Sequence, residues 1–415
     1  MFKLSFYILI FFSNLSFSQS YNDTLELKQN LDSNNISLLH IAEEYENNLL
    51  DLYSALYLFE DTIEKIDFSY DITISLNDST ITKRLNELNE RSPFDLRLNS
   101  STLSAIKLYI SKKQYLTSKM LGMAQLYFPL FEQELIIHNL PIELKYLPIV
   151  ESALNPRAIS KVGAVGLWQF MPQTAKMMGL NITSYIDERR DPYLSTKHAC
   201  LYLSHLFSIY NDWNLSLAAY NAGPGNVNKA IRRSGGKNTY WEIKSYLPKE
   251  TQNYVPAFIA VNYMMEYAKE HDIKAKNPDF LFFELDTVHV NERVRFDMLE
   301  NWLSYDLEKL EYLNPMYFNN VIPKSNEKQS ITLPSFLIGD FIMFQDSIIK
   351  YSSLESDTPV LNLIEPSSKY YIIKKGDTIW DIAQRYHGVS VLDIKKLNVG
   401  LDVYNLKTGA KIIIK

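Results

Sequence analysis

The sequence predicts a mainly α fold, in which a helix-dominated α+β domain is followed by a small βααβ domain. Residues 142–152 and 195–207 have the patterns of helices. Residues 370–414 instead combine a β-rich run, a turn, two short helical patterns and a closing strand. With 415 residues and 46% hydrophobic content, the chain can build more than one core, so we expect two to four domains.

The N-terminus has the features of a secretory signal. Lys3 supplies a basic start, an apolar stretch runs from Leu4 to Phe12, and small residues stand at Ser16 and Ser18. We expect cleavage after Ser18, so that residues 1–18 form a signal peptide. An uncleaved anchor is the alternative, but the apolar run is well short of the roughly 20 residues needed to span a bilayer. No Cys follows that could accept a lipid anchor.

The formal charge of −6 is unevenly distributed along the chain. Residues 21–70 contain eleven acids and two lysines, whereas residues 369–415 contain nine basic residues and four acids. Residues 19–100 are interpreted as an acidic, mostly helical region without assigned chemistry. The acidic sign, and the lack of an evident basic stripe in the body of the chain, argue against nucleic acid as a partner. We expect a monomer.

The sequence offers no pattern for a metal or another cofactor, and none is expected. His198 and His205 lie seven residues apart on one helical face, but no cluster of further ligands accompanies them, so structural histidines are predicted. Cys200 is the single cysteine, which excludes an intrachain disulfide, and its helical surroundings predict a buried apolar role.

Residues 142–152 form the most informative segment, because they place Glu151 at the end of an apolar helical run. Pro141 suits a first helical position, and the helix should end before Pro156, since proline disfavours helix in the residue that precedes it. Glu151 therefore falls in a last turn. Pro148 lies inside the run and leaves two interpretations open, a kinked helix or two short helices.

Two effects should raise the pKa of Glu151. Leu147, Ile149 and Val150 supply apolar surroundings that disfavour the anion, and the negative end of the helix dipole disfavours it further. A carboxyl group that holds its proton near neutral pH suits a general acid. A single glutamate at a helix end is more commonly a solvated residue, so the assignment depends on the blocks that accompany it.

Several blocks accompany this glutamate in a specific order. They are Glu151-Ser152, Ser160, GAVGLWQ at 163–169, AAYNAGPG at 218–225 and ETQNYVP at 250–256. Together they resemble the lytic transglycosylase domain of the lysozyme superfamily, most closely the D-type membrane-bound murein transglycosylases that carry C-terminal LysM modules. The resemblance spans roughly residues 106–256 and implies a lysozyme-like domain over residues 101–275. It implies cleavage of the β-1,4 bond between N-acetylmuramic acid and N-acetylglucosamine.

The resemblance also implies residue roles. Glu151 corresponds to the catalytic acid of the family. A substrate-binding role is implied for Ser152, Ser160, Gln169, Tyr220, Asn221, Glu250 and Tyr254. Residues 221–225 equally suit a turn, which is compatible with that role, and Trp168 suits either the cleft or the core. The implied partner is the glycan strand of peptidoglycan, and the signal segment then predicts a location in the periplasm or cell envelope.

The expected mechanism uses one carboxylate twice, because no second acid accompanies Glu151 within its block. As the resemblance implies, Glu151 protonates the leaving oxygen and then takes the proton of the muramic acid C6 hydroxyl, which attacks C1 and closes a 1,6-anhydro ring. An internal hydroxyl held close to C1 has an effective molarity on the order of 10⁵ M or more. Two alternatives stay open, a hydrolytic muramidase and a non-catalytic peptidoglycan-binding protein.

Residues 369–415 resemble the LysM domain, a binder of glycans that contain N-acetylglucosamine. In that family the sugar lies between the first strand-to-helix loop and the loop that joins the second helix to the final strand. The glycan-binding residues implied here are Gly376, Asp377, Thr378, Ile379, Asn398 and Leu401. Trp380 is predicted to fill the small core instead.

The segments 296–314 and 380–398 are equal in length, carry Asp at their second position and end in Leu-Asn. Strand-like runs flank both segments. Residues 285–335 are therefore predicted to be a degenerate LysM-like unit that packs against the catalytic domain. This unit lacks the Gly-Asp-Thr turn, so sugar binding by it is not expected. Residues 351–368 have the composition of a linker.

Overall fold

The computed structural model describes residues 78–112, 114–353, 370–386, 389, 391–398, 401 and 406–414. The predicted signal peptide, residues 19–77 of the acidic region and residues 354–368 of the predicted linker lie outside these residues. The chain divides into two compact units, Met1–Glu284 and Leu285–Lys415.

The described part of the first unit is helical almost throughout. Its helices are α1 (Asp78–Arg91), α2 (Ser100–Lys107), α3 (Gln114–Ile137), α4 (Leu147–Ser152), α5 (Pro172–Met178), α6 (Pro192–Tyr210), α7 (Trp213–Ala222), α8 (Pro224–Arg233), α9 (Tyr240–Ile243) and α10 (Lys249–Tyr267). A π turn continues α2 over Leu108–Lys112, and 3-10 turns precede α4 at Ile142–Tyr146 and α10 at Lys244–Tyr246.

Aspartates cap two long helices of this unit. Asp191 accepts a hydrogen bond from the backbone N–H of Leu194 at the start of α6, and Asp212 accepts one from Leu215 at the start of α7. Each carboxylate satisfies a backbone donor that the helix leaves unpaired. Helix α6 ends at Tyr210, and the left-handed backbone of the next residue, Asn211 (φ 48°), turns the chain directly into the cap of α7.

Helix α10 is the central helix of the first unit. Its residues 254–264 are buried, as their composition predicts, because they are apolar around the whole helix circumference with few exceptions. The helix packs against α2, α4 and α7. Since α10 is surrounded in this way, its first turns are held in place beside α4 and the end of α7.

The connection between α4 and α5 contains a compact loop over residues 158–170. Val165 forms isolated antiparallel bridges with both Ile159 and Phe170, so the loop folds back on itself twice. Leu167 and Trp168 are fully buried, and the indole N–H of Trp168 donates to the hydroxyl of Thr196 at 2.9 Å. Of the two readings of Trp168, core packing is therefore the one observed.

The second unit begins with two two-stranded sheets and helices in the order β1 (Leu285–Val290), β2 (Val294–Arg295), α11 (Phe296–Leu303), α12 (Leu307–Leu313), β3 (Val321–Ile322), β4 (Gln329–Pro334) and α13 (Ile338–Ser352). Strands β1 and β4 pair antiparallel, with Leu285 opposite Pro334 and Val290 opposite Gln329. This agrees with the two strand-like runs seen in the sequence. Helix α13 packs against α11 and β2.

The last described segment has the predicted βααβ order: β5 (Tyr370–Ile372), α14 (Ile379–Gln384), α15 (Val391–Leu397) and β6 (Lys411–Ile413). The two strands pair antiparallel. Its small core is largely isoleucine and consists of Ile373, Ile379, Ile382, Ala383, Ile394, Ile412 and Ile414. The side chain of Trp380, predicted to lie in this core, is outside the described residues.

Cys200 is buried, as its surroundings in the sequence predict. Among the described residues, no helix combines the length and apolar character needed to cross a bilayer.

Candidate active site

The segment that carries Glu151 consists of two short helices. A 3-10 turn over Ile142–Tyr146 is followed directly by α4, and Pro148 occupies the first turn of α4, where its missing N–H costs no hydrogen bond. This resolves the two interpretations of Pro148. Pro156 is expected to end this helix, but α4 ends earlier, because Ala153 and Leu154 adopt left-handed backbone conformations (φ 50° and 64°). Glu151 lies in the last turn, as predicted.

Tyr254 contacts the candidate acid directly. Its hydroxyl donates a hydrogen bond to Oε1 of Glu151 from one turn inside α10, and its side chain is only 7% exposed. Burial raises the pKa of Glu151 to about 8, against the opposing effect of the Tyr254 hydrogen bond, and the charge of Glu250 raises it further. Desolvation exceeds both other effects. A carboxyl group in this environment is protonated at neutral pH and can donate that proton.

Asn221 connects the end of α7 with the start of α10. Its Oδ1 accepts a hydrogen bond from the hydroxyl of Thr251 at 2.8 Å, and its Nδ2 donates to Oε1 of Glu250 at 3.3 Å. These two contacts fix which way the amide group points. Glu250 itself is exposed. Thr251 lies within the block ETQNYVP, but nothing in the sequence of that block indicates its contact with Asn221.

Tyr220 and the loop 158–170 form a second side of the site. The hydroxyl of Tyr220 donates to the carbonyl of Trp168 at 2.7 Å. Ser160 accepts a hydrogen bond from the N–H of Ala164, and the amide of Gln169 donates to the carbonyl of Gly166 at 2.9 Å. In the described structure, these polar groups organise the loop, and neither Ser160 nor Gln169 hydrogen-bonds to the candidate acid.

Ser152 departs from its predicted substrate-binding role. It is 1% exposed, and its hydroxyl is shared between the carbonyls of Pro148 and Leu167 at 3.0 and 2.9 Å. A hydroxyl that is buried between two carbonyls has no access to a ligand. Ser152 instead ties the last turn of α4 to the loop, and so positions its neighbour Glu151.

A buried ion pair supports the loop from its other side. Arg189 forms two hydrogen bonds with the carboxylate of Asp187, at 2.9 and 2.7 Å, and both residues are nearly inaccessible. The same guanidinium donates to the carbonyls of Gly163 and Phe170 at 3.0 and 3.1 Å. No feature of the sequence indicates this pair, because Arg and Asp usually lie on the protein surface. Only their burial shows that they hold the loop.

In the LysM segment, two predicted glycan contacts serve the fold instead. Asp377 accepts hydrogen bonds from the hydroxyl of Tyr371 and the N–H of Lys374, and it pairs with Arg385 at 2.9 Å, so its side chain is only 5% exposed. Ile379 belongs to the isoleucine core. The prediction for both residues depends on their position in the loop. That position does not show whether a side chain faces the solvent, where it could contact a glycan, or faces inward and stabilises the fold.

The other predicted LysM residues differ in exposure. Gly376 and Thr378 are exposed, and Thr378 caps α14 through reciprocal hydrogen bonds with Asp381. Leu401 packs against the core, and Asn398 is half-buried. The structure therefore leaves Gly376 and Thr378 as the accessible part of the predicted groove. Residues 399, 400 and 402–405 of its other side lie outside the described residues.

The internal repeat seen in the sequence extends to its hydrogen bonds. Asn398 accepts from the N–H of Ile413 and donates to the carbonyls of Ile394 and Ile413. Asn314, which occupies the corresponding position, accepts from the N–H of Thr332 and donates to the carbonyls of Leu310 and Thr332. In both units, one asparagine ties the second helix to the closing strand.

The first LysM-like unit differs at the loops that correspond to the sugar groove. Its strands β2 and β3 join these loops by pairing Val294 with Ile322. The N–H of Ser325 donates to the carbonyl of Asn291, and Lys324 pairs with Glu292 at 2.9 Å. The two loops that correspond to the sides of the sugar groove are therefore bonded to each other, and the absence of sugar binding by this unit stays a prediction.

The arrangement around Glu151 favours proton transfer as its chemistry. Among the described residues, no group of three or more His, Cys, Asp or Glu is arranged to hold a metal ion. The candidate acid is a single half-buried carboxyl group, with a tyrosine donor on one oxygen and a second, exposed glutamate that acts on it only through its charge.

Comparison with protein families gives three matches. Residues 129–243 match the family described as Transglycosylase SLT domain, and residues 371–415 match the LysM domain. Residues 284–350 match the family described as Lytic transglycosylase MltD, LysM-like domain. The SLT match includes Glu151 and Tyr220 but ends before Glu250 and Tyr254.

Individual proteins are also similar. The membrane-bound lytic murein transglycosylase D of Escherichia coli (strain K12) is 32% identical over 322 residues, which cover 74% of this chain and 67% of that protein. The soluble lytic murein transglycosylase of the same strain is 35% identical over 123 residues, 28% of this chain and 19% of that protein. The crystal structure of the 70 kDa soluble lytic transglycosylase SLT70 from Escherichia coli aligns with a TM-score of 0.32 and 22% identity, covering 48% of this chain and 34% of that chain.

Proposed function

Since the chain belongs to the D-type family of membrane-bound lytic murein transglycosylases, and is therefore a peptidoglycan lytic transglycosylase, we propose that Glu151 supplies both the acid and the base of the reaction. The observation that carries this proposal is the environment of Glu151. Glu151 is half-buried, desolvation raises the pKa of its carboxyl group to about 8, and the carboxyl group accepts a hydrogen bond from Tyr254.

The first step is protonation of the glycosidic oxygen. Glu151 holds its proton at neutral pH and transfers it to the leaving oxygen of N-acetylglucosamine as the bond to C1 of N-acetylmuramic acid breaks. The carboxylate that results is stabilised by the hydroxyl of Tyr254, whose hydrogen bond is stronger to an anion than to a neutral acid. Tyr254 thus stabilises the charge that develops on Glu151 in this step.

The second step returns the proton. The anionic Glu151 takes the proton of the C6 hydroxyl of muramic acid, and the C6 oxygen attacks C1 to form the 1,6-anhydro ring. The carboxyl group is regenerated without water. Because the same group gives and recovers the proton, no second catalytic carboxylate is needed, and Glu250 is free to orient Asn221.

The remaining polar groups have supporting roles in this proposal. Tyr220 and Asn221 are held by hydrogen bonds to Trp168 and Thr251, and so present fixed groups beside the cleavage point. Ser160 and Gln169 shape the loop that faces them. Preorganised groups of this kind position the C6 hydroxyl for attack, which favours ring closure over hydrolysis.

We also propose a modular envelope protein. The C-terminal LysM domain supplies glycan binding through the accessible side of its groove at Gly376 and Thr378, while the first LysM-like unit supplies none, since its corresponding loops are paired with each other. The signal segment predicted from the sequence and the murein substrate support a location in the periplasm or cell envelope. Growth, division and recycling of the wall are all compatible with this activity.

Mass spectrometry of digested murein tests the proposed chemistry. Purified sacculi treated with the protein are expected to release fragments with 1,6-anhydromuramic acid ends. Reducing muramic acid ends in their place would show that water is the nucleophile. Absence of any fragments, with the protein bound to the sacculi, would show a non-catalytic binder.

A further inference from the structure

A basic surface lies next to the proposed active site. Between Pro224 and Lys249 the chain contains one acid, Glu242, although the whole chain has a net charge of −6. The basic residues of this stretch are Lys229, Arg232, Arg233, Lys237, Lys244 and Lys249. They do not form an evident cluster in the sequence, because they are spread over 21 positions.

The fold brings these residues together. Helix α8 packs against the 3-10 turn Lys244–Tyr246 that precedes α10. The guanidinium of Arg233 lies 5.9 Å from the ring centroid of Tyr246, which joins the two segments by a cation–π contact. Two separate stretches of sequence therefore form one basic surface.

Most of these basic side chains are not paired with an acidic group in the described part of the chain. Lys229, Arg232, Lys237 and Lys249 are exposed and form no ion pair with another described residue. Helix stability does not account for Lys249, because it lies in the first turn of α10, where the helix dipole disfavours a cation. Glu242 accepts a hydrogen bond from Thr239 and neutralises little of the surface.

The surface begins at the site itself. Helix α8 starts three residues after Asn221, and Lys249 is adjacent to Glu250, which accepts the hydrogen bond of Asn221. With a rise of 1.5 Å per residue, Arg232 lies about 12 Å along α8 from its start. The basic groups thus extend from the proposed cleavage point to about one helix length away.

We propose that this basic surface binds the carboxylates of the murein stem peptides, and that the enzyme consequently prefers peptide-bearing strands to bare glycan. The inference rests on the proposed function, because that function places an N-acetylmuramic acid, the sugar that carries the peptide, at Glu151. A peptide of about five residues spans at most about 17 Å when extended, which reaches the length of α8. The carboxylates of such a peptide are the anions that this substrate offers at that distance.

Cleavage of two soluble substrates tests the proposal: murein strands with their peptides, and the same strands stripped by an amidase. Stripped strands keep a lactyl carboxylate, but it lies directly on the sugar ring. The double variant Lys229→Glu/Arg232→Glu is expected to lower kcat/KM on peptide-bearing strands about tenfold at low ionic strength, and to change kcat/KM on stripped strands less than twofold. Near 1 M salt the difference should vanish, because the Debye length falls to about 3 Å.

Two matched variants control for a general effect of reversing surface charge and for misfolding. Lys269→Glu reverses an equally exposed charge that lies beyond the far end of α10, about 27 Å along the helix from Lys249, and should change neither rate. The neutral variant Lys229→Gln/Arg232→Gln should show a smaller loss in the same direction. A loss in this neutral variant also shows that misfolding caused by the reversed charges is not the reason for the effect.

Each outcome decides the proposal. A loss that is equal on the two substrates, or no loss on peptide-bearing strands, overturns the binding of stem peptides while leaving the proposed function intact. If the wild-type protein cleaves neither substrate, the proposed function fails, and this inference fails with it.

Discussion

The pKa of Glu151 results from competition at a single carboxyl group. Burial and the charge of Glu250 favour the protonated form, while the hydroxyl of Tyr254 favours the anion. An acid that must also act as a base needs both influences, since a carboxyl group that never ionised could not recover the proton. Glu151 and Tyr254 come from different helices, α4 and α10, so their contact depends on the packing of those helices.

Glu151→Gln should abolish cleavage while preserving the fold and glycan binding. The amide is nearly isosteric with the carboxyl group, but it cannot donate a proton and then recover it. Release of soluble fragments from purified murein, together with the thermal unfolding midpoint, measures the two properties. Activity within about tenfold of wild type, a barrier difference under about 1.4 kcal/mol, would rule out Glu151 as the acid.

Tyr254→Phe should shift the pH profile of cleavage towards higher pH. The wild-type acid form is lost as the pH rises through about 8, so kcat/KM should fall on that limb. The Tyr254 hydrogen bond lowers the pKa of Glu151, and its removal should therefore raise that pKa and move the limb upward. The maximum rate should also fall, because the anion loses a donor.

Tyr220→Phe is the control for this experiment. It removes an equivalent hydroxyl, which donates to the carbonyl of Trp168 and not to the acid. The quantity to compare is the pH at which its alkaline limb lies, not its absolute rate. This position should stay near that of the wild type. An unchanged limb in Tyr254→Phe would contradict the proposed control of the Glu151 pKa.

At the scale of elements, the loop 158–170 depends on close contact with the 3-10 turn Glu188–Arg190. A Cβ atom added to Gly166 would lie 1.9 Å from the carbonyl oxygen of Arg189, and the backbone of Gly166 is left-handed (φ 87°). Only glycine fits this position. The contact explains how the buried pair of Arg189 and Asp187 reaches the carbonyls that it holds.

Gly166→Ala should therefore reduce both stability and activity, whereas Gly163→Ala should have a smaller effect. Both glycines have a φ of 87°, so both alanines carry the backbone strain of about 1 kcal/mol, but a Cβ on Gly163 meets nothing within 4 Å. The difference between the two variants isolates the collision with Arg189. Chemical denaturation and murein digestion measure it, and equal effects of the two substitutions would contradict this account of the loop.

At the scale of the whole molecule, catalysis and wall binding are assigned to different segments. Deletion of residues 369–415 should leave the cleavage of short soluble muropeptide chains intact and weaken action on insoluble sacculi. The LysM domain has its own isoleucine core, and it contributes local concentration at the wall instead of contacts to the scissile bond. Rates on the two substrates, measured for the full and shortened chains, test this.

A matched segment provides the control for the whole-molecule prediction. Residues 369–415 should sediment with murein, and residues 284–353 should not, because the loops of the first unit are paired through β2 and β3. Equal loss on soluble and insoluble substrates after the deletion would instead mean that LysM forms part of the cleft. Equal sedimentation of the two segments would mean that the paired loops still admit glycan.

The sequence by itself determined the family, the order of the domains, the position of Glu151 in a last helical turn and the internal repeat that ends at Asn314 and Asn398. These features are local: a helix end, a turn or a motif depends on residues that are close in sequence. Only the tertiary structure decided which polar groups meet. Tyr254 reaches Glu151 across 103 positions, and Asn221 meets Thr251 across 30. Burial likewise separated Ser152 and Ile379, which support the fold, from residues open to a ligand, because exposure depends on every element packed around a side chain and not on its neighbours in sequence.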